Sequence, residues 1–522
     1  MTKQDEKSIG KIFTIEALGN DNKKVLEVKS HSFDEAIKLV GFGRISQHIF
    51  LMSALVIQAV SNETMGISIL VPAAHCDLNL SATDKGMLTG VSFAGIILTL
   101  HLWGYLADTK GRKNVIIISL ILNFLCSLLS SMAGDFVTMV ILRLLVGMCI
   151  SAPSATIYAY LGEFTNTEKR TMIISFASVA VGLSSIFTGA LGWLVLSFDW
   201  RVDLWGLVEF RPWRLLLILY SLPGAIAGVW MIFLPESPKF YLSQGRDDLA
   251  LKVLQNMFLG NNAGATLDEF SVRRITPEVC EDDVGKQRKG FLAVLCGMWN
   301  QTTPLFRRPN LLYFIVCCAL QFGMYFVSAG MGLWYPEIIN QLTSVVRNNS
   351  EGICDIIEDQ NDSDKEFALN EVAKCDDHMT QDVFIYVIVL GSIYAVSYLA
   401  VSAVLRKVKR GYILFFNLFI SGTFGMLLLF IDNMYLVLML FCSFMVFAGV
   451  SISLVNGAAV SIFPTNVRAM AVGLSLMMGR LGSVAGTNLI GLIMERNCTM
   501  TFVLFAASSL MGAVLTLILP RR

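Results

Sequence analysis

Twelve apolar runs of about 20 residues each limit what this chain can fold into. They centre on 48–72, 87–106, 114–133, 136–159, 171–196, 214–234, 310–334, 383–405, 412–431, 435–458, 468–493 and 500–519. A helix of roughly 20 residues crosses a hydrocarbon core of about 30 Å. Backbone inside that core must satisfy its own hydrogen bonds, which leaves helices or a closed barrel, and runs of this length select the helix. Six runs precede a long polar stretch and six follow it, so the expected fold is an all-α membrane protein of 12 transmembrane helices in two six-helix bundles across a central cavity. Composition agrees: 55% of residues are apolar and 15% charged, which excludes a soluble protein. The boundaries read from these runs are a polar N-terminal segment 1–47, a first bundle 48–235, a linker 236–309 and a second bundle 310–519 that includes a polar loop 336–381.

Lys and Arg near the span ends set the expected orientation. One set of loops carries Lys110, Arg112, Lys113, Lys169, Arg170, Arg406, Lys407, Lys409, Arg410 and Arg468, with Arg521 and Arg522 at the tail. The short loops of the other face carry only Lys85, Arg201, Arg211, Arg214 and Arg496. Both termini and the linker are therefore expected in the cytoplasm. Residues 1–47 lack a short apolar h-region, so no cleaved leader is expected. On the outer side, the acidic loop 336–381 holds glycosylation sequons at Asn348 and Asn361. Asn79 also falls outside, whereas Asn62 lies in a span, Asn300 in the cytoplasm and Asn497 close to the membrane.

The same outer loop contains Cys354 and Cys375. A bridge between them would close about 20 residues and constrain the unfolded chain by about 3 kcal/mol; two free thiols are the alternative. Cys76 and Cys498 are the other outer cysteines. Five histidines and eleven scattered cysteines make no C-x-x-C and no spaced His pair, so no metal and no cofactor are expected. No nucleophile, base and oxyanion set and no nucleotide loop is present, which argues against an enzyme. The lipid bilayer is the partner that composition demands, and no nucleic-acid partner is expected.

Between the second and third runs lies LWGYLADTKGRKN, from Leu102 to Asn114. A tight turn that carries one acid and a cluster of bases can reach a neighbouring helix end when one side closes and release it when that side opens. At the end of the fourth run, YAYLGEFTNTEKR places Glu163 and Arg170 around a helix break, where they can pair with that loop. Gly104, Asp108, Gly111, Arg112 and Lys113 fit G-x-L-A-D-x-x-G-R-[RK], the cytoplasmic loop between helices 2 and 3 of the major facilitator superfamily, which the chain therefore resembles. With FRPWRLLLILYSLPG and LPESPKFYLSQGRDDLALKVL, the resemblance narrows to the synaptic vesicle glycoprotein 2 and related-protein branch, and more distantly to sugar and organic-ion porters. It runs from about Gly41 to Ile493 and implies a cytoplasmic gate and a monomer.

The second half departs from the family pattern. LRKVKRGY keeps bases but lacks the Gly and Asp of the first-half motif, and SIFPTNVRAMAVG has Ser461 where an acid is usual, leaving Arg468 without its expected partner. In the linker, Pro235 and Pro238 stop the sixth helix, and DDLALKVLQNMF has the apolar spacing of a surface helix. A second short helix is expected over 291–300. The Gly-rich, charged stretch from Asn261 to Lys289 is expected to be mobile.

The resemblance implies that helices 1, 4, 7 and 10 line the substrate path. Gln58, Ser61, Asn62 and Glu63, Tyr158, Gln321 with Tyr325, and Asn456 are then the polar candidates. Glu63 carries most weight, because a carboxylate in a span is costly unless it is paired, hydrated or protonated. Three roles stay open: holding a cation, carrying a coupling proton, or pairing structurally with Arg143, an intramembrane base that itself needs a partner. Related vesicle proteins have a second acid three positions earlier, where this chain has Val60. Gln321 and Tyr325 share a helical face, and the rings of Tyr325 and Trp334 would suit a cationic ligand, although such residues also gather at membrane interfaces. These features point to a secondary transporter of a small organic solute of unknown identity, with a cation or zwitterion as the class Glu63 suggests. The alternative is a vesicle or surface membrane protein that keeps the carrier fold and acts through partners. Both the plasma membrane and an intracellular vesicle suit a multi-pass chain of this kind.

Overall fold

The computed structural model describes residues 30–204, 208–262, 264–275, 303–308, 310–345, 354, 379–405, 407–463, 465–494 and 496–519. Asn348, Asn361, Cys375 and the stretch 291–300 lie outside them, as does the side chain of Arg468. Among the described residues, 12 helices are long and apolar enough to cross a membrane. Spans 1 to 6 are Arg44–Ala73, Ala82–Lys110, Arg112–Ser130, Phe136–Glu163, Met172–Leu196 and Pro212–Ile232; spans 7 to 12 are Asn310–Thr343, Gln381–Val404, Arg410–Phe430, Met434–Ala459, Met470–Ile493 and Cys498–Thr516. An even number of crossings puts both ends of the chain on one face, here called the termini face.

Local chemistry starts and bends these helices. A capping box on Ser81 and Asp84 begins span 2, and Asp135 and Asn433 cap spans 4 and 10 by accepting from Thr138 N and Leu436 N. The carboxyl of Asp135 lies below its ordinary range because Thr138 donates to it from both hydroxyl and backbone. Span 1 is interrupted at Gly66, where a Cβ would run into the Tyr220 ring at 2.6 Å, so glycine admits span 6 at the break. Span 7 does not stop at Pro336, where the polar loop was expected to begin. Its helix runs on to Val345, because Tyr335, Ile338, Ile339 and Leu342 continue its apolar face into the core.

The packing of the halves is asymmetric. Away from the termini face, one apolar core contains Ile67, Leu88 and Trp213 of the first half together with Val327, Phe384 and Phe502 of the second. On the termini face, the described core divides. One cluster, including Ile157, Tyr160 and Met231, is built wholly from the first half and its linker. The other, including Phe314, Leu414 and Phe463, is built from the second half together with Leu305 at the end of the linker. The apolar core that joins the bundles lies toward the far face, and toward the termini face each bundle has a core of its own.

A small buttress covers the termini face of the first bundle. The surface helix of the linker is present at Asp247–Asn261 and buries Ala250, Leu254 and Met257. Phe33–Val40, an amphipathic helix with a Ser32–Glu35 capping box, packs in the same cluster. The stretch expected to be mobile is anchored in its described part. Phe270, Val272 and Ile275 are buried, and Arg274–Ile275 pairs in parallel with Ser30–His31. Three apolar side chains recurring among the charges explain the difference, since each gains a buried neighbour in the cluster.

The expected Cys354–Cys375 bridge is replaced. Cys354 is bonded to Cys498 with Cα atoms 5.4 Å apart, joining the loop after span 7 to the start of span 12. Cys498 sits at the first turn of its helix on the same face, a proximity that sequence distance conceals. Cys76 is also disulfide-bonded. With a separation of 144 residues, the Cys354–Cys498 bridge is worth about 5 kcal/mol in the chain-entropy model. Cys498→Ser is therefore expected to lower the unfolding temperature markedly. Peptide mapping without reductant should recover Cys354 linked to Cys498; recovery of Cys354 linked to Cys375 would refute the pairing.

Candidate functional site

Glycines bring the halves together on the far side. A Cβ on Gly189 of span 5 would lie 3.2 Å from the Phe384 carbonyl oxygen of span 8, and one on Gly90 of span 2 would lie 3.0 Å from Asn488 Nδ2 of span 11. Small residues thus let backbones approach as they do in other membrane bundles. Beside this contact, Lys85 Nζ of span 2 donates to Glu337 Oε1 of span 7 at 2.6 Å, with 13% and 15% of the side chains exposed. This mostly buried ion pair bridges the two halves and closes the far face.

At mid-membrane, the two halves meet through aromatic and charged groups. Gly479 lets the Tyr325 ring lie against the backbone of span 11, since a Cβ there would run into that ring. The next residue, Arg480, places its guanidinium 5.1 Å from the Tyr325 centroid and 5.5 Å from that of Phe93 across the interface. Tyr158 of span 4 lies within electrostatic reach of Tyr325 and Arg480, and Tyr398 of span 8 within reach of Tyr158 and Tyr325. Arg480, Tyr158, Tyr325 and Tyr398 are all half-buried, as groups lining a path should be.

Glu63 is not among them. It is 2% exposed, and its carboxylate accepts from Arg143 Nη1 at 3.0 Å, Asn123 Nδ2 at 3.1 Å and Ser127 Oγ at 3.3 Å. The expectation of a cavity carboxylate gives way to a structural ion pair, because Arg143, itself 1% exposed, faces Glu63 from span 4. A charge that is already neutralised has little left to offer a cationic ligand. Gln321 is also fully buried and donates through Nε2 to Asn456 Oδ1 at 2.7 Å, tying span 7 to span 10, while its Oε1 has no partner among the described residues. Of the sequence candidates, only Tyr158 and Tyr325 are brought together across the halves.

The loop motif forms a network at the termini face. Arg112 pairs with Glu163 and, at 3.6 Å, with Asp108. Ser237 Oγ donates to Glu163 Oε2 at 2.5 Å, Lys113 N donates to Glu236 Oε1 at 3.1 Å, and Lys113 Nζ donates to Ile232 O at 2.8 Å. Arg170 Nε donates to the Gly162 carbonyl at 2.8 Å. Every group in this network belongs to the first half or the start of the linker, so it braces one bundle. Gly111 has φ +100, and any Cβ on it would collide with Glu236, whereas space around Gly104 is open. Gly111→Ala is expected to cost about 1–3 kcal/mol, read as a lower unfolding temperature in detergent; an unchanged midpoint would show that the turn is not as placed.

Lys85, Glu337 and Arg480 were missed in the sequence. Arg480 carried a usable signal, an arginine inside the run LSLMMGRLGSVAG, the same kind that marks Arg143.

Residues 50–344 match the family model described as Major Facilitator Superfamily. Synaptic vesicle glycoprotein 2A of Rattus norvegicus is 27% identical over 341 residues, covering 62% of this chain and 45% of that protein. Synaptic vesicle glycoprotein 2B of the same organism is 26% identical over 327 residues, covering 60% of this chain and 48% of that protein. The chain spans about half the length of these curated relatives. Among solved structures, the inward open conformation of the xylose transporter XylE from E. coli matches with a TM-score of 0.64 at 14% identity, covering 91% of this chain and 97% of that one. A partially occluded inward open conformation of the same transporter gives 0.63 at 15% identity, covering 91% and 97%.

Proposed function

The chain belongs to the major facilitator superfamily, and on that premise we propose that it is an alternating-access carrier of a small organic solute, with its path open toward the termini face. One observation carries the reading: the apolar core is continuous across both halves on the far face and divided on the termini face. Two rigid bundles that share a contact on one side can rock about a central site and exchange it for a contact on the other. The Lys85–Glu337 pair is suited to that exchange, because it spans the halves and is reached from solvent as soon as it breaks.

The excess of Lys and Arg in loops of the termini face supports a cytoplasmic location for it. The likeness to synaptic vesicle glycoproteins favours a vesicle membrane over the plasma membrane. Ser461 in place of an acid, with the absence from LRKVKRGY of the Gly and Asp of the first-half motif, supports the second reading, a carrier fold that works through partner proteins.

Uptake by purified protein in proteoliposomes separates the two. Labelled sugars, amines, carboxylates and zwitterions would be offered with and without a pH gradient. Saturable uptake of any one establishes the carrier. No uptake from folded, correctly inserted protein would leave the partner-binding reading.

A further inference from the structure

Resting on the carrier reading, we propose that the mid-membrane site binds a small organic anion, its acidic group held by Arg480 and the Tyr158 hydroxyl while its apolar body lies against the Phe93 and Tyr325 rings. The charge balance of the bundle leads there. Three carboxylates of the spans already have basic partners: Glu63 has Arg143, Glu163 has Arg112, and Glu337 has Lys85. Arg214, another base in a span, donates to the carbonyls of Ser131 and Ala133. Arg480 has neither a carboxylate nor a hydrogen-bonded carbonyl among the described residues, only the two ring faces.

A guanidinium cannot discharge by losing a proton, so an unneutralised one at mid-membrane is a standing demand for an anion. Its surroundings suit that role. The guanidinium carbon lies 5.1 Å from the Tyr325 centroid and 5.5 Å from the Phe93 centroid, and its N–H groups, without a hydrogen-bond partner among the described residues, are available to a bidentate carboxylate, sulfonate or phosphate group. The phenol of Tyr158, which shares a hydrogen bond with Ser178, lies within electrostatic reach of Arg480 and Tyr325 and can turn to an anion as a further donor. Because Phe93 and Tyr158 belong to the first half while Tyr325 and Arg480 belong to the second, an anion held here touches both bundles. Its binding can therefore bias their relative position.

Equilibrium binding to the purified full-length protein tests this with three probes of one shape: 1-naphthoate, 1-naphthylmethylamine and 1-naphthamide. Naphthoate should bind saturably and about tenfold or more tighter than the amine or the amide. Arg480→Gln should weaken naphthoate about tenfold or more while leaving the weak binding of the amide unchanged. Arg480→Lys keeps the charge but loses the flat fork, and covers the case in which Arg480→Gln does not fold. It should weaken naphthoate about threefold or more. Preference for the amine, absence of naphthoate binding, or naphthoate affinity untouched in the folded variants would overturn the proposal. Naphthoate binding without liposome uptake of any solute would sink the carrier reading and leave the anion site standing. Saturable uptake of a sugar or an amine, indifferent to Arg480→Gln and without anion binding, would do the reverse.

Discussion

Glu63→Leu and Arg143→Leu are each expected to destabilise the folded protein by about 3–5 kcal/mol, and the double variant by less than either. Removing one member of a buried ion pair leaves the other charge in the bundle without compensation, whereas removing both leaves an apolar contact of similar volume. The two single variants should differ. A stranded carboxyl still has Asn123 and Ser127 as donors and can become neutral by taking up a proton. A stranded guanidinium cannot give one up, and Arg143 Nε already lacks a partner among the described residues. Glu63→Leu should therefore be the worse of the two, and the deficit of Arg143→Leu should shrink as the pH is lowered. Thermal unfolding in detergent reads all three. Single variants indistinguishable from the parent would mean that Glu63 and Arg143 are hydrated, which would return Glu63 to the cavity.

Lys85→Met is expected to weaken closure of the far face by about 1.5–3 kcal/mol, the range for a charge-assisted hydrogen bond, and so to shift the balance of states by roughly one to two orders of magnitude. Glu337→Gln should act in the same direction, and the swap Lys85→Glu with Glu337→Lys should restore closure in part. Reactivity of a cysteine introduced at a residue lining the small far-face pocket, such as Val71, would report the change. Reactivity that stays at the parent level in Lys85→Met would show that the glycine contacts alone hold that face shut.

Span positions, the two-bundle division and the surface helix after Gly245 were legible in the sequence because each rests on hydrophobic periodicity, which is local. The loop motif was legible because its residues are contiguous. What pairs with what was not, because pairing is set by helix rotation. Glu63 and Arg143 are 80 residues apart, and nothing in either span says that one faces the other. Lys85 and Glu337 looked like ordinary charges at helix ends, and only the meeting of spans 2 and 7 makes them a closure. Cys354 failed for the same reason: nearness in sequence favoured Cys375, while the fold brings Cys498 alongside. Arg480 was readable as an unpaired base inside an apolar run, and its importance emerges only once Glu63, Glu163 and Glu337 are seen to be occupied.

Alternating access about the mid-membrane site is the central claim, and distance measurement between spin labels tests it most directly. One label pair, at Thr83 and Asp382, spans the halves on the far face; another, at Lys110 and Lys407, spans them on the termini face, and all four positions are exposed or adjoin exposed helix ends. In the parent protein the far-face pair should show a dominant short distance. In Lys85→Met that pair should gain a longer population while the termini-face pair gains a shorter one in matching proportion. Distances that stay single and unchanged on both faces, in parent and variant alike and with or without naphthoate, would contradict a rocking carrier and identify a rigid scaffold.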